Sequence, residues 1–138
     1  MKRNITLYIK DILQNIRYIE SFIKNMSYEE FVSDRKTSYA VVRCIEIIGE
    51  AAKNIPDDIR EKYPDIPWKK MSGMRDKISH FYFGIDMKKV WLTVERDIPR
   101  IKPMIKNALR DISKDIKDKS KNERQRSKKD KRTIQDSL

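Results

Sequence analysis

The sequence predicts an all-helical protein, an up-and-down bundle of four main helices with additional short helices. Only three glycines occur among 138 residues, and no Asn-Gly turn or alternating apolar pattern indicates a strand. Two long segments place apolar residues at steps of three and four, the spacing that aligns side chains on one face of a helix. We expect each apolar stripe to be buried against the others.

The first two long helices are predicted from apolar spacing and from capping residues. One stripe steps by four, three, four, three and four: Ile5, Ile9, Ile12, Ile16, Ile19 and Ile23. Ser27 followed by Glu30 predicts a capping box that opens a short helix, and Asp34 can cap the next helix, which runs to about Asn54. The inward stripe of that helix is Val41, Cys44, Ile45, Ile48 and Ala52.

Prolines and a glycine delimit the third predicted helix. Pro56, Pro64 and Pro67 mark an irregular connection, because proline lacks an amide donor and constrains the residue before it. A short helical turn is possible around residues 57–63. The helical pattern resumes from about Trp68 to Tyr82, and Gly84 with Asp86 indicates a stop followed by a new N-cap.

The fourth long helix carries apolar residues from Val90 to Ile112, although Pro99 and Pro103 should kink or break it. Beyond Ile116 the pattern fails, and nine Lys or Arg residues accompany four Asp or Glu residues. We therefore expect a helical domain over residues 1–116 and a basic, mostly disordered tail over residues 117–138. The tail is either a solvated extension or an electrostatic arm for RNA or another acidic surface.

Composition limits the classes of function. A net charge of +11 favours polyanionic partners, among which nucleic acid comes first. Cys44 is the single cysteine, so neither a disulfide nor a cysteine-based zinc site is available within the chain. No apolar run approaches the roughly 20 residues that cross a bilayer. We expect a cytoplasmic protein with no membrane segment.

Candidate chemistry lies in the segment MSGMRDKISHFYFGID, which contains the single histidine, His80. Histidine can both take up and release a proton near neutrality, and Arg75 carries a permanent charge suited to a phosphate. On a regular helix, Asp76 would lie beside His80 and could orient its ring. Tyr82 would lie nearly above Arg75, where its hydroxyl could reach a bound phosphate.

The same residues have a plainer interpretation. A lone histidine near a helix end is more often a dipole partner or a surface group than a catalyst, and Phe81 and Phe83 are more typical of a core than of a base-stacking surface. On an ideal helix, Arg75 and His80 also point about 140° apart. They converge only if the helix end is distorted or if partner groups come from elsewhere.

This segment resembles the R-x4-H-x-Y signature of the HEPN superfamily, specifically its HepT branch, once called domain of unknown function 86. Here the signature reads Arg75-x4-His80-x-Tyr82, with Asp76 directly after the arginine. The resemblance covers roughly residues 1–112. Three further blocks follow the order of that family: IGEAAKNIP at 48–56, PDIPW at 64–68 and VWLTVERDIP at 90–99.

The resemblance implies a metal-independent endoribonuclease toxin of a type II toxin–antitoxin pair, acting as a homodimer whose two motifs face each other in a cleft. It implies that Arg75 and His80 are catalytic, that Asp76 supports them, and that RNA is the substrate. It also implies that Tyr82 accepts AMP from a cognate minimal nucleotidyltransferase antitoxin, MntA, which silences the nuclease. No metal and no other cofactor are implied.

Two other functions remain open from the sequence. The domain could be a non-catalytic HEPN subunit that binds a nucleotide or a nucleotidyltransferase partner, with Arg75 as a phosphate clamp. It could also be a structural nucleic-acid-binding bundle that depends on the basic tail. Deleting residues 117–138 separates the second from the nuclease, because chemistry at His80 would survive the deletion.

Overall fold

A computed structural model describes residues 2–80 and 84–137, with side chains described over residues 4–78 and 84–129. It confirms the predicted all-helical bundle. The helices are α1 (Lys2–Ile23), α2 (Tyr28–Ser33), α3 (Arg35–Lys53), α4 (Asp57–Lys62), α5 (Trp68–Ser72), α6 (Met74–Ile78), α7 (Met87–Leu92) and α8 (Ile98–Ser137). Two short strands, β1 (Ser79–His80) and β2 (Gly84–Ile85), pair between α6 and α7.

The core lies where α1, α3 and α8 pack together with α5 and α6. The isoleucine stripe of α1 faces it as predicted, since Ile5, Ile9, Ile12, Ile16 and Ile19 are all buried and Ile23 is partly buried. The inward stripe of α3 is likewise buried in full. Burial of the aliphatic side chains supplies the main stabilisation of this bundle, at about 25 cal/mol for each Å² removed from water.

The predicted caps open their helices. The Ser27 hydroxyl accepts from the Glu30 amide, and the Glu30 carboxylate accepts from the Ser27 amide, so the capping box is complete. Asp34 accepts from both the amide and the hydroxyl of Thr37, and these hydrogen bonds lower the pKa of the Asp34 carboxyl. Both caps satisfy amide groups that the first turn of a helix leaves without intrahelical partners.

Helices α3 and α5 approach each other closely at Gly49. A Cβ atom added at Gly49 would lie 3.3 Å from the carbonyl oxygen of Met71 and 3.6 Å from that of Ser72. The two backbones are therefore in contact where α3 lacks a side chain. This contact sets the distance between α5 and the bundle. At that distance the side chain of Met71 is fully buried.

The fourth predicted helix is longer than expected and is not broken by its prolines. Helix α7 passes through a wide turn at Thr93–Asp97 directly into α8, and Pro103 lies inside α8. In this turn the amide of Ile98 bonds to the carbonyl of Thr93, five residues back. In such a turn each amide bonds to the carbonyl five residues back instead of four. The change occurs just before Pro99, which has no amide hydrogen to donate.

The prediction of a mostly disordered tail is wrong for the described backbone, because α8 continues through residues 117–137. Lys, Arg, Glu and Gln have high helix propensity, a property that apolar spacing does not report. Extending an existing helix also avoids the cost of a new helical nucleus. Side chains 117–129 are exposed, as expected for a segment with little to bury, and the division at residue 116 stays a prediction.

None of the helices in the described part of the chain is both long and apolar enough to span a membrane.

We predict that Gly49→Leu lowers the free energy of unfolding by about 1–3 kcal/mol, because the new side chain must displace the backbone of α5. Urea denaturation measures this change. Gly73→Ala serves as the control, since a Cβ atom there would make an ordinary contact of 3.6 Å with the Lys69 carbonyl oxygen. A Gly49→Leu protein as stable as the wild type would contradict the close approach of α3 and α5.

Candidate active site

Arg75 lies on α6, a helix of little more than one turn. The two buried residues of this helix, Met74 and Ile78, are four positions apart and anchor it to the core. The three residues between them, Arg75, Asp76 and Lys77, are exposed. Because the anchors face inward, the chain geometry directs Arg75 to solvent, and its guanidinium forms no ion pair with any other residue in the described ranges.

The helix that carries Arg75 ends at Ile78, so the prediction of one helix from Trp68 to Tyr82 is wrong. Gly73 separates α5 from α6, and Ser79 and His80 are extended. A continuous helix would pair the Ile78 carbonyl with the amide of residue 82. Here that carbonyl accepts from the amide of Asp86 at 2.7 Å.

His80 is held by its backbone in a short antiparallel pair. Ser79 lies opposite Ile85, and His80 lies opposite Gly84. Gly84 has φ of +77°, a conformation that residues with a Cβ atom rarely adopt. The next residue but one, Asp86, caps α7 by accepting from the Lys89 amide, which confirms the predicted N-cap. The predicted helix stop at Gly84 is wrong, because the helix already ends at Ile78 and Gly84 lies in β2.

The ending of the helix removes the geometric argument that linked the candidate residues. Asp76 and His80 are not on successive turns of one helix, so their spacing no longer makes them neighbours, and the angle of about 140° between Arg75 and His80 does not apply. Tyr82, Phe81 and Phe83 lie outside the described residues, as does the side chain of His80. The backbone nevertheless places Arg75 and His80 at opposite ends of one short helix-to-strand segment.

Beside α6, a cleft of about 400 Å³ opens between α5, α6 and the start of α8. Three cationic side chains line it, namely Lys70, Lys77 and Arg100, together with Asp65 and Asp97. Sequence reasoning did not identify these residues. The three cationic residues come from three separate helices, so only the packing of those helices brings them together, and no spacing along the chain signals the cleft.

The side chains that the structure describes include no metal-binding group and no exposed thiol. Among the side chains that the structure describes, at residues 4–78 and 84–129, no group of three His, Cys, Asp or Glu is arranged to hold a metal ion. Cys44 is buried in α3, and burial raises the pKa of its thiol. The thiolate, the reactive form of cysteine, is therefore disfavoured.

Fold and site together define a helical-bundle protein that presents an exposed arginine and a histidine in one short segment. The chain belongs to the HepT-like ribonuclease family, whose model matches residues 12–108. The match includes Arg75, His80 and Tyr82, and it ends within α8.

Named relatives agree with this membership. A protein of Methanocaldococcus jannaschii named "Putative RNase" is 52% identical over 111 residues, which are 80% of this chain and 92% of the relative. A protein of Thermococcus cleftensis named "Probable ribonuclease HepT" is 49% identical over 102 residues, covering 74% of this chain and 93% of the relative. No solved structure matches the chain.

Proposed function

We propose that this protein is a metal-independent endoribonuclease toxin that cleaves RNA at a cleft between two identical chains. The observation that carries the proposal is the exposed Arg75 of α6, five residues before His80, in a chain of the HepT-like ribonuclease family. An exposed guanidinium that forms no ion pair with the residues the structure describes is available to bind a phosphate in two-point fashion. The basic composition favours the approach of RNA.

Cleavage of RNA without a metal uses the ribose 2′-hydroxyl as an internal nucleophile. The step is accelerated when one group removes the proton of this hydroxyl and another protonates the leaving oxygen. His80 supplies the proton transfer, and Arg75 stabilises the charge that develops on the phosphate. Asp76, exposed beside Arg75, supports the pair by setting the local charge around the guanidinium.

The need for two proton transfers argues for a homodimer. Each chain has one histidine, and one imidazole cannot readily act as base and as acid in the same step. A two-fold axis presents the same surface twice, so two His80 and two Arg75 residues share one cleft. This arrangement requires no convergence of Arg75 and His80 within a chain.

The proposed control of the nuclease is transfer of AMP from ATP to the Tyr82 hydroxyl, which loses its proton while pyrophosphate leaves. The transfer is made by a cognate nucleotidyltransferase antitoxin of the MntA type, as in a type II toxin–antitoxin pair. An AMP group adds bulk and negative charge close in sequence to Arg75. It would compete with the RNA phosphate for the guanidinium. The expected consequence is loss of RNA binding at the cleft, with the bundle unchanged.

His80→Ala and Arg75→Ala should each reduce RNA cleavage at least about 100-fold, while leaving the helical circular dichroism spectrum unchanged. General acid–base catalysis by His80 and stabilisation of transition-state charge by Arg75 each contribute about this order of magnitude. The assay contains a chelator, so that cleavage by the wild type also tests metal independence. Arg43→Ala is the matched control, because Arg43 is an exposed arginine paired with Glu46 on α3. Wild-type rates in either candidate variant would refute the assignment.

Mixing chains tests the shared cleft. Wild-type and His80→Ala proteins are combined in equal amounts, unfolded and refolded together, and assayed per total chain. If catalysis needs His80 from both chains, about one quarter of the dimers are active, whereas independent chains would retain about one half of the activity. Sizing chromatography checks that both preparations are dimeric, and a value of one half would contradict the shared cleft.

Incubation with the nucleotidyltransferase and ATP should add the mass of one AMP group to the wild-type chain and should abolish cleavage. Tyr82→Phe should gain no mass and should stay active, because phenylalanine lacks the accepting hydroxyl. Tyr39→Phe is the control, since Tyr39 is 55% exposed on α3 and far from residue 82 in sequence. Modification of the Tyr82→Phe chain would place the acceptor elsewhere.

A non-catalytic HEPN subunit is the second candidate, and it leads to a different result in the same experiments. Such a subunit would bind a nucleotide or the nucleotidyltransferase through Arg75 and would leave RNA intact in every assay.

A further inference from the structure

The solvent side of α8 carries an unbroken line of basic side chains, which we call the basic ridge. Its members follow one another at steps of four, four, three, four, three and four residues. They are Lys106, Arg110, Lys114, Lys117, Lys121, Arg124 and Lys128.

Helix geometry brings these seven residues onto one narrow face. At about 100° per residue, all of them point within an arc of about 80°, and with a rise of about 1.5 Å per residue the ridge is about 33 Å long. All seven are exposed. The ridge is the face opposite the buried stripe of the same helix, where Ile105, Ala108 and Ile112 enter the core.

Acidic residues flank the ridge but do not interrupt it. No Asp or Glu lies within its arc, and the nearest one, Asp118, points about 80° from the centre. Elsewhere on α8, cations and acids are paired across helices: Lys102 donates to Glu20 at 2.9 Å, and Asp115 accepts from Lys62 at 3.0 Å. None of the seven ridge residues forms an ion pair within the described part of the chain.

Such a line of unpaired cations is suited to a long, regular polyanion. A membrane surface or a partner helix would also need an apolar face, and beyond Ile116 the side of α8 opposite the ridge carries Lys119, Glu123 and Arg126, which are exposed. An RNA backbone needs only positive charges repeated along its path. The ridge has few groups for base readout, so binding through it would depend little on sequence.

We infer that the basic ridge of α8 binds the phosphate backbone of RNA outside the cleavage site and holds the substrate to the enzyme. The inference rests on the proposed function for the identity of the polyanion. Six of the seven ridge residues follow residue 108, where the family match ends. The ridge thus lies almost entirely beyond the residues that the family model matches, and its proposed role goes beyond the activity at Arg75 and His80.

The experiment compares two triple variants of equal charge and composition. The ridge variant is Lys117→Gln, Lys121→Gln and Arg124→Gln, whereas the control variant changes Lys119, Arg126 and Lys129 to Gln on other faces of the same helix segment. Glutamine preserves helix propensity, and all six positions are exposed, so folding is not at risk. Both triples are made in His80→Ala protein, and binding to a fluorescent single-stranded oligouridylate is measured from low to high salt.

The binding constant falls with salt, and the ridge variant should make the slope of log binding constant against log salt less negative by about 2. Each contact with a single-stranded phosphate contributes about 0.7 to the magnitude of that slope. Referred to 1 M salt, this corresponds to about 100-fold weaker binding at 0.1 M salt. The control variant should change the slope by less than about 0.7. Equal losses in the two variants would show that only net charge matters and would overturn the inference, as would no loss in either.

Cleavage assays of the same triples with His80 restored separate the two proposals. The ridge variant should raise KM and leave kcat near the wild-type value, because the ridge binds substrate but does not contact the reacting atoms. If RNA is bound through the ridge but never cut by the wild type, the ribonuclease proposal fails and the ridge stands. If RNA is cut and the ridge variant has an unchanged KM, the ridge fails and the ribonuclease proposal stands.

Discussion

The contact between α3 and α5 at Gly49 is the constraint on which the arrangement of the candidate site depends. Without a side chain at Gly49, the backbone of α5 lies against α3, and Met71 is fully buried. The following residues, Met74 and Ile78, are then close enough to the core to be buried as well. Their burial leaves Arg75 exposed, so a missing side chain on one helix determines how another helix presents its arginine.

Elements whose signals are local could be predicted well from the sequence. The isoleucine stripe of α1, the Ser27–Glu30 capping box and the Asp34 cap depend on residues at most four positions apart, and all three occur as expected. The end of the third helix depends instead on a bond from the Asp86 amide to the Ile78 carbonyl, across eight positions. The spacing of residues within one helix cannot reveal that a distant amide, that of Asp86, takes the Ile78 carbonyl as its acceptor.

The same distinction separates the parts of the candidate site. Resemblance to a family identified Arg75 and His80 and was supported by the family match, although their roles stay proposals. The geometric arguments that assumed a continuous helix did not survive, because β1 begins at Ser79. The cleft that Lys70, Lys77 and Arg100 line together with Asp65 and Asp97 was not foreseen, since three helices contribute its cations. Apolar spacing also failed to predict the helical tail, because the helix propensity of its residues, and not burial of apolar side chains, favours the helix there.

The wide turn at Thr93–Asp97 determines which way the rest of the last helix faces. Val90, Val94 and Ile98 are buried at two successive intervals of four, and each such interval drifts by about 40° around a regular α-helix. A turn wound more loosely corrects this drift. The long helix thereby starts in the right phase, with its isoleucines toward the bundle and its cations toward water over some 33 Å. An extra residue in a regular α-helix would rotate every later side chain by about 100°, and the wide turn absorbs that residue locally. A single deletion here would therefore leave a regular helix whose later isoleucines still face the bundle.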